Sequence, residues 1–231
     1  MGASRAIYLG NNIYISNVYV IAMSLISKLL QFVISTVNKY NIDESHGLGH
    51  SMNVLIYSHN IFNHSVQTMP ELHKYERIIY VSAIVHDMCD KKYMDEENGI
   101  REISGYLHEK IPEDEIDAIK KIISTMSYSK VKINGFPELG VYQTAFHIVR
   151  EADLLTAYDF DRCMIYNMHH NKQDLLDSYL NAHTLLYNRV FKHYEDGLFV
   201  TEYSKQQHFI LQHIALNRIS MWEKILNINI V

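Results

Sequence analysis

Four side chains of the types that bind metal ions interrupt stripes of hydrocarbon at helical spacing. In the run IIYVSAIVHDMCDKKY, residues 78 to 93, a helix carried through to the end puts Ile79, Ala83, His86, Asp87 and Asp90 on one face. A buried, ionised carboxylate without a partner is expensive, so Asp87 on that stripe calls for a cation or for strong hydrogen bonds. The plainer alternative is that His86 and Asp87 sit where the helix frays and cap its end.

The same pattern recurs twice. In NIDESHGLGHSMNVLIYSHNIF, residues 41 to 62, Asp43 or Ser45 can cap a helix that carries His50, Val54, Tyr57 and Ile61 on one side. His46 is either a second cap or a site residue. In YQTAFHIVREADLLTAYDFDR, Ala145, Val149, Asp153 and Thr156 share a face. Two neutral imidazoles and two carboxylates from three helices make a mixed nitrogen and oxygen site, suited to one divalent ion such as Mn, Fe, Co, Ni or Zn, with Mg also admitted. Four protein ligands leave positions on a six-coordinate ion for water and a substrate oxygen.

The elements that must position these groups belong to a chain of 231 residues, enough for one domain with a sizeable core. Nine Gly and three Pro against 48% hydrophobic residues argue for an all-α domain with few tight turns, and no strand pattern or Gly-rich phosphate loop is present. A net charge of −5 gives no reason to expect nucleic acid or an anionic membrane as partner. Cys89 and Cys163 have no zinc-type spacing, so the expected setting is reducing and cytoplasmic. The oligomeric state stays open.

The uncharged run between Arg5 and Lys28 is broken by Gly10, Asn11, Asn12 and Asn17, too polar for a clear membrane span. Val18, Ile21, Ala22, Leu25, Leu29, Val33 and Val37 recur at helical spacing, which predicts an amphipathic helix within residues 1–40 packed on a core of residues 41–226. A membrane anchor is the alternative. Residues 95 to 127 read as two helices, the second starting at Pro112 with Glu113 and Asp114. Residues 127 to 140, with Gly135, Pro137 and Gly140, read as a loop carrying Lys130 and Lys132. Two long periodic runs follow, Leu175 to Tyr194 and Ser204 to Ile225.

The order His, His-Asp, Asp on helices resembles the HD-domain superfamily of metal-dependent phosphohydrolases. The matching residues are His50 in GHSMNVL, His86 and Asp87 in AIVHDMCDKK, and Asp153 in VREADLL. Within that superfamily the chain is similar to a bacterial nucleotide pyrophosphohydrolase-like branch whose His-Asp motif runs on into Asp-x-Lys, here Asp90 and Lys92. Gly99 through Leu107, and Ser127 to Ser129, echo the same branch. That branch usually carries Asp-Ala-Asp-Arg-Leu-Asp where this chain has Glu151-Ala152-Asp153-Leu154-Leu155-Thr156. The neighbouring Arg is lost, and Arg162 is the candidate to replace its charge. His108 is the nearest counterpart of the extra histidines in two-metal relatives.

The resemblance implies one HD-type domain over residues 1–231 and metal-assisted hydrolysis of a small phosphorylated substrate, with a nucleotide as the expected partner. His50, His86, Asp87 and Asp153 would hold the ion, which activates water and polarises a phosphoryl oxygen. Asp90 is the expected proton acceptor, Lys92 and Arg162 the expected phosphate ligands, and His46 a candidate donor to the leaving group. Each has a structural alternative: Lys92 complementing a helix dipole, Asp90 orienting a ligand histidine, Arg162 pairing with Asp159 or Asp161. Nucleoside triphosphate pyrophosphohydrolysis is the first reaction implied, then nucleoside monophosphate dephosphorylation, then phosphodiester cleavage. A silent HD domain that binds metal or nucleotide is the alternative of a different class.

Overall fold

A computed structural model describes residues 25–228, and these are all-α: among the described residues no strand occurs. The first helix, α1, covers residues 25–40 and hides Leu29 and Val33. It lies along α4 (Glu96–Leu107), where Phe32 stacks on Tyr106 at 4.5 Å between ring centroids and Lys39 bonds Glu102 at 2.7 Å. The expected amphipathic helix is therefore present from residue 25 onward; its predicted start and most of the membrane question lie outside the described residues. Among those described, no helix is long and apolar enough to cross a membrane.

Three helices form the centre. α2 (Leu48–Ser65) packs on both α3 (Glu76–Val85) and α7 (Gln143–Thr156), and α3 also touches α7. They meet through Val54 and Ile61, through Ile79 and Ala83, and through Ala145 and Val149, all fully buried. Each large aliphatic side chain enclosed there contributes about 1.5–3 kcal/mol. α5 (Glu113–Thr125) covers the other side of α3 with Ile116, Ile119, Ile122 and Ile123. Its acidic first turn suits the positive end of the helix dipole and is tied to α3, since Arg77 clasps Glu115 with bonds of 2.6 and 2.5 Å.

Beyond α7 the chain makes α8 (Phe160–His169) and α9 (Leu175–Asn188), packed on each other, and then α10 (Glu202–Leu226), which lies across α7, α2 and α8. Periodicity did not separate α8 from its neighbours; its start is fixed by Asp159, whose side chain accepts from the Arg162 backbone N–H.

Three expectations need correction. Asp43 caps the short 3-10 turn Glu44–His46 ahead of α2, and α2 itself starts after Gly47 with no side-chain cap among the described residues. The helix expected through residues 78–93 ends at Val85, and Met88 and Asp90 instead close successive turns by donating to the Val85 and Asp87 carbonyls. The physical cause is His86, whose Nδ1 lies 2.9 Å from the Ala83 carbonyl and takes up one of the acceptors a helix leaves free at its end. The segment 127–140 is not all loop either: Ser127 caps a short helix, α6 (Tyr128–Asn134), which stops at Gly135 in the left-handed region at φ 73°.

Candidate metal centre

The C-terminal ends of α3 and α7 and the first turn of α2 converge. His50 Nε2 and His86 Nε2 stand 3.0 Å apart. Asp87 Oδ2 is 3.1 Å from the first and 3.3 Å from the second. Asp153 Oδ1 is 3.4 Å from His50 Nε2 and 3.7 Å from His86 Nε2. Both imidazoles are buried, and the Asp153 side chain keeps 28% of its surface open to solvent. All four residues expected as metal ligands are thus brought together, and His50, His86 and Asp87 form a group able to hold a metal ion.

Tautomers follow from partners. Among the described residues, the polar atom bonded to His86 Nδ1 is a carbonyl oxygen, so Nδ1 carries the proton and Nε2 of the neutral ring presents a lone pair. At His50, Nδ1 faces Thr156 Oγ1 at 3.4 Å, and that hydroxyl already donates to the Asp153 carbonyl at 2.7 Å. It can only accept from His50, so His50 Nε2 is bare as well. Two lone pairs aimed at each other beside a carboxylate are stable only around a positive charge. Asp87 Oδ2 sharpens the point: it is buried and, despite its nearness to both rings, has no aligned hydrogen-bond donor among the described residues. Donor atoms about 2.0–2.2 Å from a common ion lie roughly 3.0–3.6 Å from one another, which matches the separations among His50, His86 and Asp87, while Asp153 stands slightly farther from His86, at 3.7 Å.

The ionisation of the cluster fits the same reading. Burial alone would raise the Asp87 carboxyl, but the facing His86 and His50 rings overcome it and hold the group well below the ordinary carboxylate range. Asp153 is likewise lowered, burial opposing and the same two histidines prevailing. Burial would lower His86, yet the Asp87 and Asp153 carboxylates lift it to about 9.

The cluster opens into a cleft of about 690 Å³. Arg162 reaches into it from α8, its Nε donating to the Ser45 carbonyl and its terminal nitrogen 3.2 Å from His50 Nε2. Neither of the expected pairings for its side chain occurs: Asp159 caps α8, and Asp161 accepts from Trp222 at 2.7 Å and pairs with Arg218 at 3.2 Å. Lys92 also lines the cleft, with Nζ 3.0 Å from Asp90 Oδ2 and 3.1 Å from His46 Nε2. Asp90 is committed to Lys92 with both oxygens, Oδ1 accepting the Lys92 backbone N–H at 2.9 Å. Lys130 lines the cleft bonded to Glu96, whereas Lys132 turns out to Asp196, so only one of the two lysines of that segment shapes the site. His108 is exposed beside Glu113 and takes no part.

Sequence reading missed the support under His46. Ser45 Oγ and Tyr93 Oη both donate to Asp43, the latter at 2.6 Å, which leaves them to accept from His46 Nδ1 at 2.7 and 3.0 Å. His46 Nε2 is therefore the acceptor for Lys92, and burial lowers this imidazole to about 4, with the nearby Asp87 carboxylate opposing. The ring orients the lysine and has no proton at Nε2 for a leaving group. The pairing of Asp43 with Tyr93 spans fifty residues and carries no periodic signal. Comparison of the chain with family models, curated proteins and solved structures gave no match.

Proposed function

We propose that this protein is a metal-dependent phosphohydrolase of the HD type, acting on a small phosphorylated substrate, with nucleoside triphosphate pyrophosphohydrolysis as the first choice. The observation that carries the reading is the convergence of His50, His86, Asp87 and Asp153 at the floor of a cleft whose wall holds Arg162 and Lys92. A divalent ion held there supplies a Lewis acid and a water of lowered pKa.

The chain's own residues supply the rest. Arg162, anchored by the Ser45 carbonyl, and Lys92, steered by Asp90 and His46, bring two cations to the ion's side of the cleft, where phosphate oxygens gather negative charge. Asp90 serves by positioning Lys92. Thr156 fixes the His50 tautomer and the Ala83 carbonyl fixes that of His86, an arrangement that orients ligand rings before the ion arrives.

The test is metal analysis of the purified chain, with phosphate and pyrophosphate release followed over nucleoside mono-, di-, tri- and cyclic phosphates. Release is expected with bound metal, and both are expected to be lost in Asp87→Ala. Metal-loaded protein that releases nothing from the whole panel sinks the enzymatic reading and favours a silent binding domain.

A further inference from the structure

Five cationic side chains line the cleft, Lys91, Lys92, Lys130, Arg162 and Arg189, and they are not equivalent. Lys92 and Lys130 each meet a carboxylate, Asp90 and Glu96. Arg162 and Arg189 have none within ion-pair distance among the described residues. Arg162 is explained by the site above. Arg189 is not.

Arg189 stands where α9 ends, its backbone at φ −134° and ψ −59° turning the chain away from the helix. Its guanidinium lies 3.7 Å from the centre of the Tyr128 ring, at the start of α6, and both residues line the cleft. Its Nε is buried without a hydrogen-bond partner among the described residues. A stacked guanidinium keeps its edge free for a planar or tetrahedral anion while the ring fixes its orientation. Asp153 of the ligand cluster and Arg162 line the same cleft as Arg189. Two unpaired guanidiniums that repel across one cavity are best reconciled by an anion with charge at two points.

We propose that Arg189, laid on Tyr128, is a second anion-binding point that selects substrates carrying two or more linked phosphoryl groups, Arg162 taking the group nearest the metal ligands and Arg189 the next. This rests on the phosphohydrolase reading for its biological sense, but its test is binding. A lone phosphate engages one arginine; pyrophosphate and triphosphate engage both. Tyr128 acts as a positioning residue, holding the guanidinium in plane.

Calorimetric titration of the full chain in saturating Mg²⁺ with inorganic phosphate, pyrophosphate and triphosphate decides it. The native protein is expected to bind pyrophosphate at least about tenfold more tightly than phosphate, the worth of one charge-assisted contact. Arg189→Gln should bring the two within about twofold while phosphate binding stays as it was, and Arg189→Lys should fall between. Should Arg189→Gln fail to fold, as judged by its helical circular dichroism, Tyr128→Leu carries the test and should lose the same preference. Equal affinity of the native protein for the two anions overturns the proposal, as does an undiminished preference in a folded variant. A chain that binds pyrophosphate through Arg189 yet turns nothing over refutes the enzymatic reading alone; turnover with selectivity untouched by Arg189→Gln refutes this one alone.

Discussion

Nε2 of His50 and Nε2 of His86 face each other at 3.0 Å, each ring having spent its Nδ1 proton on an oxygen behind it. Against burial, the Asp87 and Asp153 carboxylates lift His86 from 6.5 to about 9, so without a metal ion a proton on this ring takes a cation's place. Metal must displace that proton, so apparent metal affinity should rise about tenfold per pH unit below about 9 and level off above it. The sign for stability is the reverse. A raised imidazole stabilises the metal-free fold fully below 6.5 and loses that contribution as pH climbs through about 9. Calorimetric melting with and without a chelator should therefore show a gap that widens between pH 6.5 and 9, and a gap indifferent to pH would contradict the arrangement.

Arg162 and Lys92 should act on turnover and not on metal retention. Replacing either by an uncharged side chain, as Arg162→Gln or Lys92→Met, is expected to lower kcat by about 10²–10³-fold, the usual loss when one preorganised charge partner of a reacting oxygen is removed. Metal content should stay at the native level. His46→Phe keeps the ring volume but frees Lys92, and its kcat should fall with no change in metal stoichiometry. Loss of metal in Lys92→Met would move that residue from the phosphate side to the ligand side.

Gly99 is where α4 meets the turn that carries the ligand pair. A Cβ built there comes 2.6 Å from the Cys89 Cα and 2.7 Å from its Cβ, closer than packed atoms approach. Gly99→Ala must push α4 or the 86–90 turn aside. The expected result is weakened metal binding together with a stability loss of about 1–3 kcal/mol, the usual cost of overpacking. Native metal affinity in Gly99→Ala would show that the turn is not braced by α4.

Glu151 is fully buried two residues before Asp153 and accepts from the Val200 N–H at 2.8 Å, from the Thr201 N–H and hydroxyl at 3.1 and 2.6 Å, and from Arg150 at 3.1 Å. It ties α7 to the segment that leads into α10. Glu151→Ala leaves those donors and the Arg150 charge stranded, and a loss of about 3–5 kcal/mol is expected. For a chain of this length that corresponds to a melting midpoint lower by on the order of 10 °C. A shift under about 2 °C would mean that water satisfies the stranded groups.

What could be read from the sequence was what is local. The Pro112 region starts a helix through bonds within one turn, and Val54, Ile79, Ala83 and Val149 announce buried faces by spacing alone. The four candidate ligands were legible for the same reason, as polar intrusions on such faces. The ending of α3 was not, because the apolar rhythm runs on past Val85 while a histidine side chain stops the helix. At His86 capping and presenting a lone pair turned out to be the two nitrogens of one ring. The Ser127 cap was hidden by the glycines and proline that follow it. Contacts such as Tyr93 with Asp43, or Arg189 with Tyr128, join residues far apart in the chain, and only a folded molecule reveals them.

No residue of α10 lines the cleft, yet α10 holds both partners of Asp161, the immediate neighbour of Arg162. Trp222 and Arg218 act as a remote hitch on α8: with Asp161 secured from outside, no adjacent acid can swing in and quench the arginine. On the proposed phosphohydrolase reading, a truncation that removed the last three turns of the C-terminal helix, Arg218 and Trp222 with them, would register as a kinetic defect more than twenty residues from any side chain lining the cleft, and sequence distance would be a poor guide to its cause.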